Sequence, residues 1–327
     1  MQNWPKVELH VHLDCSLTYD VVKLIDPAIT REQYKQVFVG PVKCLDLADF
    51  LDRTEAAVNL LQTKRALSLA VHGLFDQWKR DHVVYGELRF APLLHIRHGL
   101  SPEEVVETII EAVESSKREK DIEAGIILCT LRHFNESQSM ETIRLVEKHL
   151  GDHVVGFDIA SDEAGYPIEA HVGAFHYANE KGIPCTAHAG EAMGPESVWE
   201  TLNNFFPRRI GHGARAMEDP KLVNHLRAEQ IHLEVCPTSN IQTNVFAAYN
   251  DHCIDRMYQE GLSLSINTDA RAISDVTLTE EYRKICETFG WVPAHFMKCN
   301  MEAIKHAFTT PAIRNKVRLR IMEEFTK

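Results

Sequence analysis

Eight short apolar runs rich in β-branched residues recur along this chain, each separated from the next by a longer amphipathic segment. The runs are Val7–Leu13, Val83–Ala91, Ile122–Leu131, Val154–Ala160, Ile183–Ala189, Arg209–His212, Ile231–Cys236 and Leu262–Thr268, the sixth short and basic at its start. Several of the intervening segments carry helix-start signals. Ser101-Pro102-Glu103-Glu104 offers a cap, a first-turn proline and a capping-box glutamate; Pro195-Glu196 and Asp219-Pro220 open two more. Strand alternating with helix implies a parallel sheet with right-handed crossovers, and eight such units are what a closed (β/α)8 TIM barrel requires. The excess length, Thr18 to Arg80 and the stretch after the eighth run, reads as extra helices. A doubly wound open sheet is the alternative, but it would want a Gly-rich phosphate loop after strand one, and none is there. At about 150 residues per domain the chain could hold two domains, yet α/β barrels routinely exceed 200 residues as one, so residues 1–327 are expected to form a single barrel domain.

Composition narrows the function classes. Hydrophobic residues at 44% and charged residues at 25% suit a packed core rather than a disordered chain. The formal charge is 35 − 47 = −12 with no basic run, which argues against a nucleic-acid partner. No window reaches 18 apolar residues and the first ten residues lack a leader pattern, so no membrane partner and a cytoplasmic location are expected. The eight cysteines contain no C-x-x-C, which fits a reducing compartment and opposes a disulfide framework or a cysteine-based zinc knuckle.

The C-terminal ends of these runs break the apolar pattern. A buried parallel strand should be apolar on both faces, so polar residues there need a reason. Run one ends His10-Val11-His12-Leu13-Asp14, and positions i and i+2 share a face, so both histidines point to the barrel axis. Run five ends His188-Ala189-Gly190-Glu191, run six Gly211-His212-Gly213, run eight Asn267-Thr268-Asp269. Barrel active sites are built on that one rim, so these residues converge. A lone strand-end histidine is ordinarily a hydrogen-bonded core residue; several with carboxylates on one rim form a metal site. Three imidazoles and one carboxylate suit Zn²⁺ with a position left for water, whose pKa the metal lowers to about 7. Glu191, three residues after His188, is the candidate acid, and His212 can hold the attacking water as base or electrostatic partner. The implied chemistry is hydrolytic addition to an electrophilic carbon. The H-x-E…P-C-x-x-C deaminase signature is absent. A two-metal site bridged by a carboxylated lysine would want Lys at the end of run four, which reads Val155-Gly156-Phe157-Asp158-Ile159-Ala160-Ser161, so one metal per chain is expected.

Six stretches, "PKVELHVHLD" (5–14), "VVGFDIASDE" (154–163), "TAHAGE" (186–191), "RIGHG" (209–213), "EVCPTSN" (234–240) and "SINTDAR" (265–271), resemble the adenosine deaminase family of the amidohydrolase superfamily, in order and spacing. The resemblance implies zinc on His10, His12, His188 and Asp269, with Glu191 protonating purine N1 as hydroxide adds at C6 and His212 orienting the hydroxide. It makes Asp14 a ribose contact, which favours a nucleoside over free adenine, and Leu47, Phe50 and Leu51 an apolar lid. Three positions depart from the family: Cys15 replaces a glycine, Ser161 replaces the glycine whose N–H meets purine N3, and Ala270 replaces an aspartate that contacts N7. Losing such a hydrogen bond costs about 1.5–3 kcal/mol. Arg271, Asp275 or a water beside Ala270 are the expected substitutes. The implied function is zinc-dependent deamination of a small purine nucleoside, adenosine or 2′-deoxyadenosine. The alternatives are a modified aminopurine nucleoside, free adenine, or a non-catalytic nucleoside-binding barrel.

Overall fold

The computed structural model of the protein describes residues 1–325. Its strands are β1 (Lys6–His12), β2 (Val83–Phe90), β3 (Glu123–Leu131), β4 (Val154–Ala160), β5 (Thr186–Ala189), β6 (Arg209–His212), β7 (His232–Val235) and β8 (Leu264–Ile266). Each expected run coincides with one strand, β1 starting one residue early at Lys6, and β4 and β6 have the expected limits. β5 starts three residues late because Pro184, with no N–H, cannot join a ladder. β8 stops at Ile266 because the chain leaves the ladder to reach Asp269, whose φ of 60° is left-handed.

All ladders are parallel, in two runs of four, β1-β2-β3-β4 and β5-β6-β7-β8. The halves meet at two seams. At one, Phe157 bridges to Cys185 and its N–H reaches the Pro184 carbonyl at 3.0 Å. At the other, Val11 bridges to Asp269. There the His12 N–H donates to the Asp269 carbonyl at 2.7 Å, and the Asp269 N–H to the His10 carbonyl at 3.0 Å. The Asn267 side chain extends this second seam by accepting the Leu9 N–H at 2.8 Å. The result is a closed (β/α)8 barrel.

The start signals act as read. Ser101 and Glu104 cap one another's backbone N–H at the head of helix Pro102–Lys120, which buries Val105, Val106, Ile109 and Val113 against the barrel. Pro195 is the first residue of helix Pro195–Phe205, and Asp219 caps helix Pro220–Ala228. The excess length is helical too. Between β1 and β2 lie Tyr19–Ile25, Arg31–Phe38, Leu47–Leu51, Thr54–Leu60 and the long crossover helix Lys64–Arg80. After β8 come Leu278–Phe289, Pro293–His306 and Pro311–Phe325. Helix Pro293–His306 packs on β1, β7 and β8, and its Asn300 accepts the Val7 N–H at 2.7 Å. Among the described residues, no helix is long and apolar enough to cross a membrane.

Candidate active site

His10 and His12 leave β1 two residues apart, His188 stands on β5, and Asp269 follows β8. One ligand atom from each lies within 4.8 Å of the others. His12 Nε2 is 3.2 Å from His188 Nε2, and Asp269 Oδ1 is 3.4 Å from Nε2 of both His10 and His12. Two buried carboxylates set the ring protons. Glu234 on β7 accepts from His10 Nδ1 at 2.8 Å, and Asp158 on β4 accepts from His188 Nδ1 at 3.2 Å. With the proton on Nδ1, each ring presents a bare Nε2 to the cluster. His10 Nε2 is buried without a hydrogen-bond partner. The second oxygen of Asp269 accepts the Ser239 hydroxyl at 2.7 Å. Imidazole nitrogens facing a carboxylate, two of the three rings steadied from behind, fit a tetrahedral zinc-type ion. Gly211 keeps the cluster tight: a Cβ there would lie 3.0 Å from the His10 ring and 3.3 Å from that of His188.

Behind the cluster the barrel interior is charged. Glu234 sits between two arginines: Arg89 Nη2 at 2.7 Å and Arg209 Nε at 2.7 Å, with the Thr186 hydroxyl at 2.9 Å. Arg89 also donates to Asp158 at 2.8 Å, and Arg209 reaches Glu87 at 2.6 Å. Burial opposes ionisation of Glu234, but the two guanidiniums hold its carboxyl well below the usual range. The histidine orienters are therefore fixed anions within a paired lattice.

On the turn after β5, the Glu163 carboxylate accepts the N–H groups of Gly190 (2.7 Å), Glu191 (3.0 Å), Ala192 (2.6 Å) and Met193 (2.9 Å), and the Ser197 hydroxyl at 2.6 Å. That grip fixes the backbone from which Glu191 points inward. Burial, then the charges of Asp269 and Glu163, push the Glu191 carboxyl well above its ordinary value and so favour its protonated form. His212 Nε2 stands 3.6 Å from it. A chain of hydrogen bonds settles the His212 tautomer. The Ile254 N–H donates to His252 Nδ1 at 3.1 Å, which puts the His252 proton on Nε2. That proton goes to Asn240 Oδ1 at 3.2 Å, and the Asn240 amide nitrogen donates to His212 Nδ1 at 3.0 Å. His212, kept neutral by burial, therefore carries its proton on Nε2 and turns an N–H toward Glu191 and the cluster. Of the two roles left open by the sequence, this geometry supports the electrostatic partner.

His12, His188, Glu191, His212 and Asp269 line one cavity of about 410 Å³, together with Asp14, Ser161 and Ala270, and Leu47, Phe50 and Leu51 from the helix beside it. Asp14 is buried, 3.8 Å from His95, and burial raises its carboxyl to about 6. Ser161 has φ 87° and its hydroxyl meets His133 at 3.3 Å.

The sequence profile of the adenosine deaminase family matches residues 5–324. The chain belongs to that family. An adenosine deaminase of Vibrio vulnificus is 32% identical over 317 residues, covering 95% of this chain and 96% of its own. One of Clostridium perfringens is 31% identical over 329 residues, with 98% of each chain covered. Among solved structures, an adenine deaminase from Arthrobacter aurescens superposes with a TM-score of 0.91 at 23% identity, over 99% of this chain and 100% of that one. An N6-mAMP deaminase from Arabidopsis gives 0.89 at 22%, over 98% of each chain. These two establish the shared barrel.

Within this adenosine deaminase family member the three departures all line the cavity. Cys15 and Ala270 pack in one apolar group with Cys44, Leu47, Phe50 and Ile273. The two side chains expected at N7 are not there. Arg271 turns away to pair with Glu8 at 2.7 Å and Asp81 at 2.8 Å, and with Asp275 it lines a different cleft. Ala270 faces the cavity and Arg271 faces away from it. Ser161 holds a conformation that favours glycine. Ser161→Gly is expected to stabilise the fold by about 0.5–1 kcal/mol, the relief of a left-handed side chain less the added entropy of glycine. A lower urea midpoint would contradict this. Sequence reading missed Asp158, Glu163, Glu234, Ser239, Asn240 and His252 as parts of the site. All but His252 lie inside the six quoted stretches, so their signal was a polar residue in or just beyond an otherwise apolar strand.

Proposed function

We propose that this enzyme hydrolyses the 6-amino group of adenosine and 2′-deoxyadenosine, releasing ammonia and the corresponding inosine, with one zinc ion per chain held by His10, His12, His188 and Asp269. The observation that carries the reading is the convergence, at one end of the barrel, of two carboxylate-steadied imidazoles, a Glu191 carboxyl whose proton is favoured by burial, and the His212 N–H. A zinc ion bound there lowers the pKa of a water from 15.7 to about 7 and makes it a nucleophile at neutral pH.

The chain's own residues do the rest. Asp14 accepts a sugar hydroxyl, and the Ser161 backbone N–H meets purine N3. Leu47, Phe50 and Leu51 cover the base and keep bulk water out. As a water-derived oxygen bonds to C6, Glu191 gives its proton to N1, and the His212 N–H steadies the incoming oxygen. Glu191, now a carboxylate, takes the proton of the new C6 hydroxyl and hands it to the amino group. The C–N bond breaks, ammonia leaves, and C6 becomes a carbonyl. A proton from the next water restores Glu191. The partner is thus a small purine nucleoside. Eight free thiols, seven of them buried, suit a reducing compartment, and we place the enzyme in the cytoplasm.

His12→Ala is expected to lose both bound metal and activity, read by metal analysis beside an ammonia-release assay. Two ions per active wild-type chain, or none, would overturn the mononuclear reading. Faster turnover of adenine than of either nucleoside would make it a base deaminase.

A further inference from the structure

We infer that this site does not recognise purine N7 and takes 7-deazapurine nucleosides, whose five-membered ring carries C–H in place of N7, at least as readily as purine nucleosides. The inference rests on the proposed reaction, which puts C6 at the metal cluster and N1 at Glu191. In a purine, C6 is flanked in the ring plane by N1 on one side and by C5 with its N7 on the other. Glu191 follows β5 and Cys15 follows β1, four strands apart around an eight-stranded rim, and so on opposite sides of the mouth. With N1 toward Glu191, the five-membered edge turns toward Cys15 and Ala270, at the β8–β1 seam.

That wall has no free donor to give. Ala270 has no polar side-chain atom, and its backbone N–H goes to the Thr268 carbonyl at 2.7 Å. The Cys15 thiol donates to Asp14 at 3.5 Å. Behind them stand Cys44, Leu47, Phe50 and Ile273, buried together. The nearest cation in sequence, Arg271, is committed to Glu8 and Asp81. A ring nitrogen pressed on this surface loses its water and gains no partner, whereas a C–H in the same place loses nothing.

The test compares dissociation constants of inosine and 7-deazainosine for the zinc-loaded wild-type enzyme. This pair avoids the different reactivity of the two ring systems at C6. Equal or tighter binding of 7-deazainosine, to within threefold, is expected; weaker binding by more than threefold would overturn the inference. Adenosine deamination is assayed in the same preparation, so the two readings can fail separately. If adenosine turns over but 7-deazainosine binds poorly, only the inference falls; if adenosine is untouched and neither nucleoside binds, both fall. In Ala270→Asp, a new carboxyl that keeps its proton on this buried wall donates to N7 and should make inosine bind about tenfold or more tightly relative to 7-deazainosine. An unchanged ratio in a folded, zinc-loaded variant would place N7 elsewhere and overturn the inference. The wild-type comparison decides alone if that variant does not fold.

Discussion

Glu191→Gln is expected to lower kcat by about 10²–10⁴-fold, the usual contribution of a positioned acid–base group, with zinc content unchanged. Glutamine keeps the shape and a donor toward N1 but cannot pass a proton to it and take one back. The turn should survive, because Glu163 holds it through the backbone N–H groups of residues 190 to 193 rather than through the Glu191 side chain. The loss should therefore fall on kcat, with KM little moved. A zinc-loaded variant retaining more than a tenth of wild-type kcat would remove Glu191 from the proton path.

Glu234→Ala should be the most damaging single change away from the cavity. It leaves Arg89 and Arg209 facing each other in the barrel interior and takes the acceptor from His10 Nδ1. Breaking a buried ion pair by removing one partner costs about 3–5 kcal/mol, a large share of the roughly 5–15 kcal/mol of a typical domain. Metal affinity should fall as well, since losing the group behind a ligating histidine typically costs about 10–100-fold. Urea unfolding of the metal-free and loaded variant separates the two effects. A loss under about 1 kcal/mol would mean that the charges repair themselves with water.

How much of this was legible in the sequence depends on the physics of each residue. The rim was, because His10, His12, His188, Glu191, His212 and Asp269 violate the apolar rule at the ends of strands, and a barrel has one place for such violations. The β5 boundary was missed although Pro184 announces it. The interior lattice was not legible as pairs: Arg89 and Glu234 lie 145 residues apart, and alternation shows which way a side chain points but not what it meets. The His212 tautomer was beyond reach too, since it depends on His252, a loop residue in no motif, and on one backbone N–H. Arg271 misled for a local reason. It follows the cavity-facing Ala270 directly, but neighbours in sequence point to different sides of the chain, and Arg271 lines another cleft.

The β8–β1 seam has a consequence in time. His10 and His12 belong to the first ladder of four strands, His188 and Asp269 to the second, and the ladders close against each other through the Val11–Asp269 bridge. A chain made from its N-terminus presents its first two ligands at the outset and its last only when β8 has been synthesised. An ion that needs all four cannot be captured by a half-made barrel, and once captured it clasps first ladder to last. With the proposed ligand set, metal uptake would follow closure of the barrel, and metal withdrawal should loosen amide protection first at His12 and Asp269.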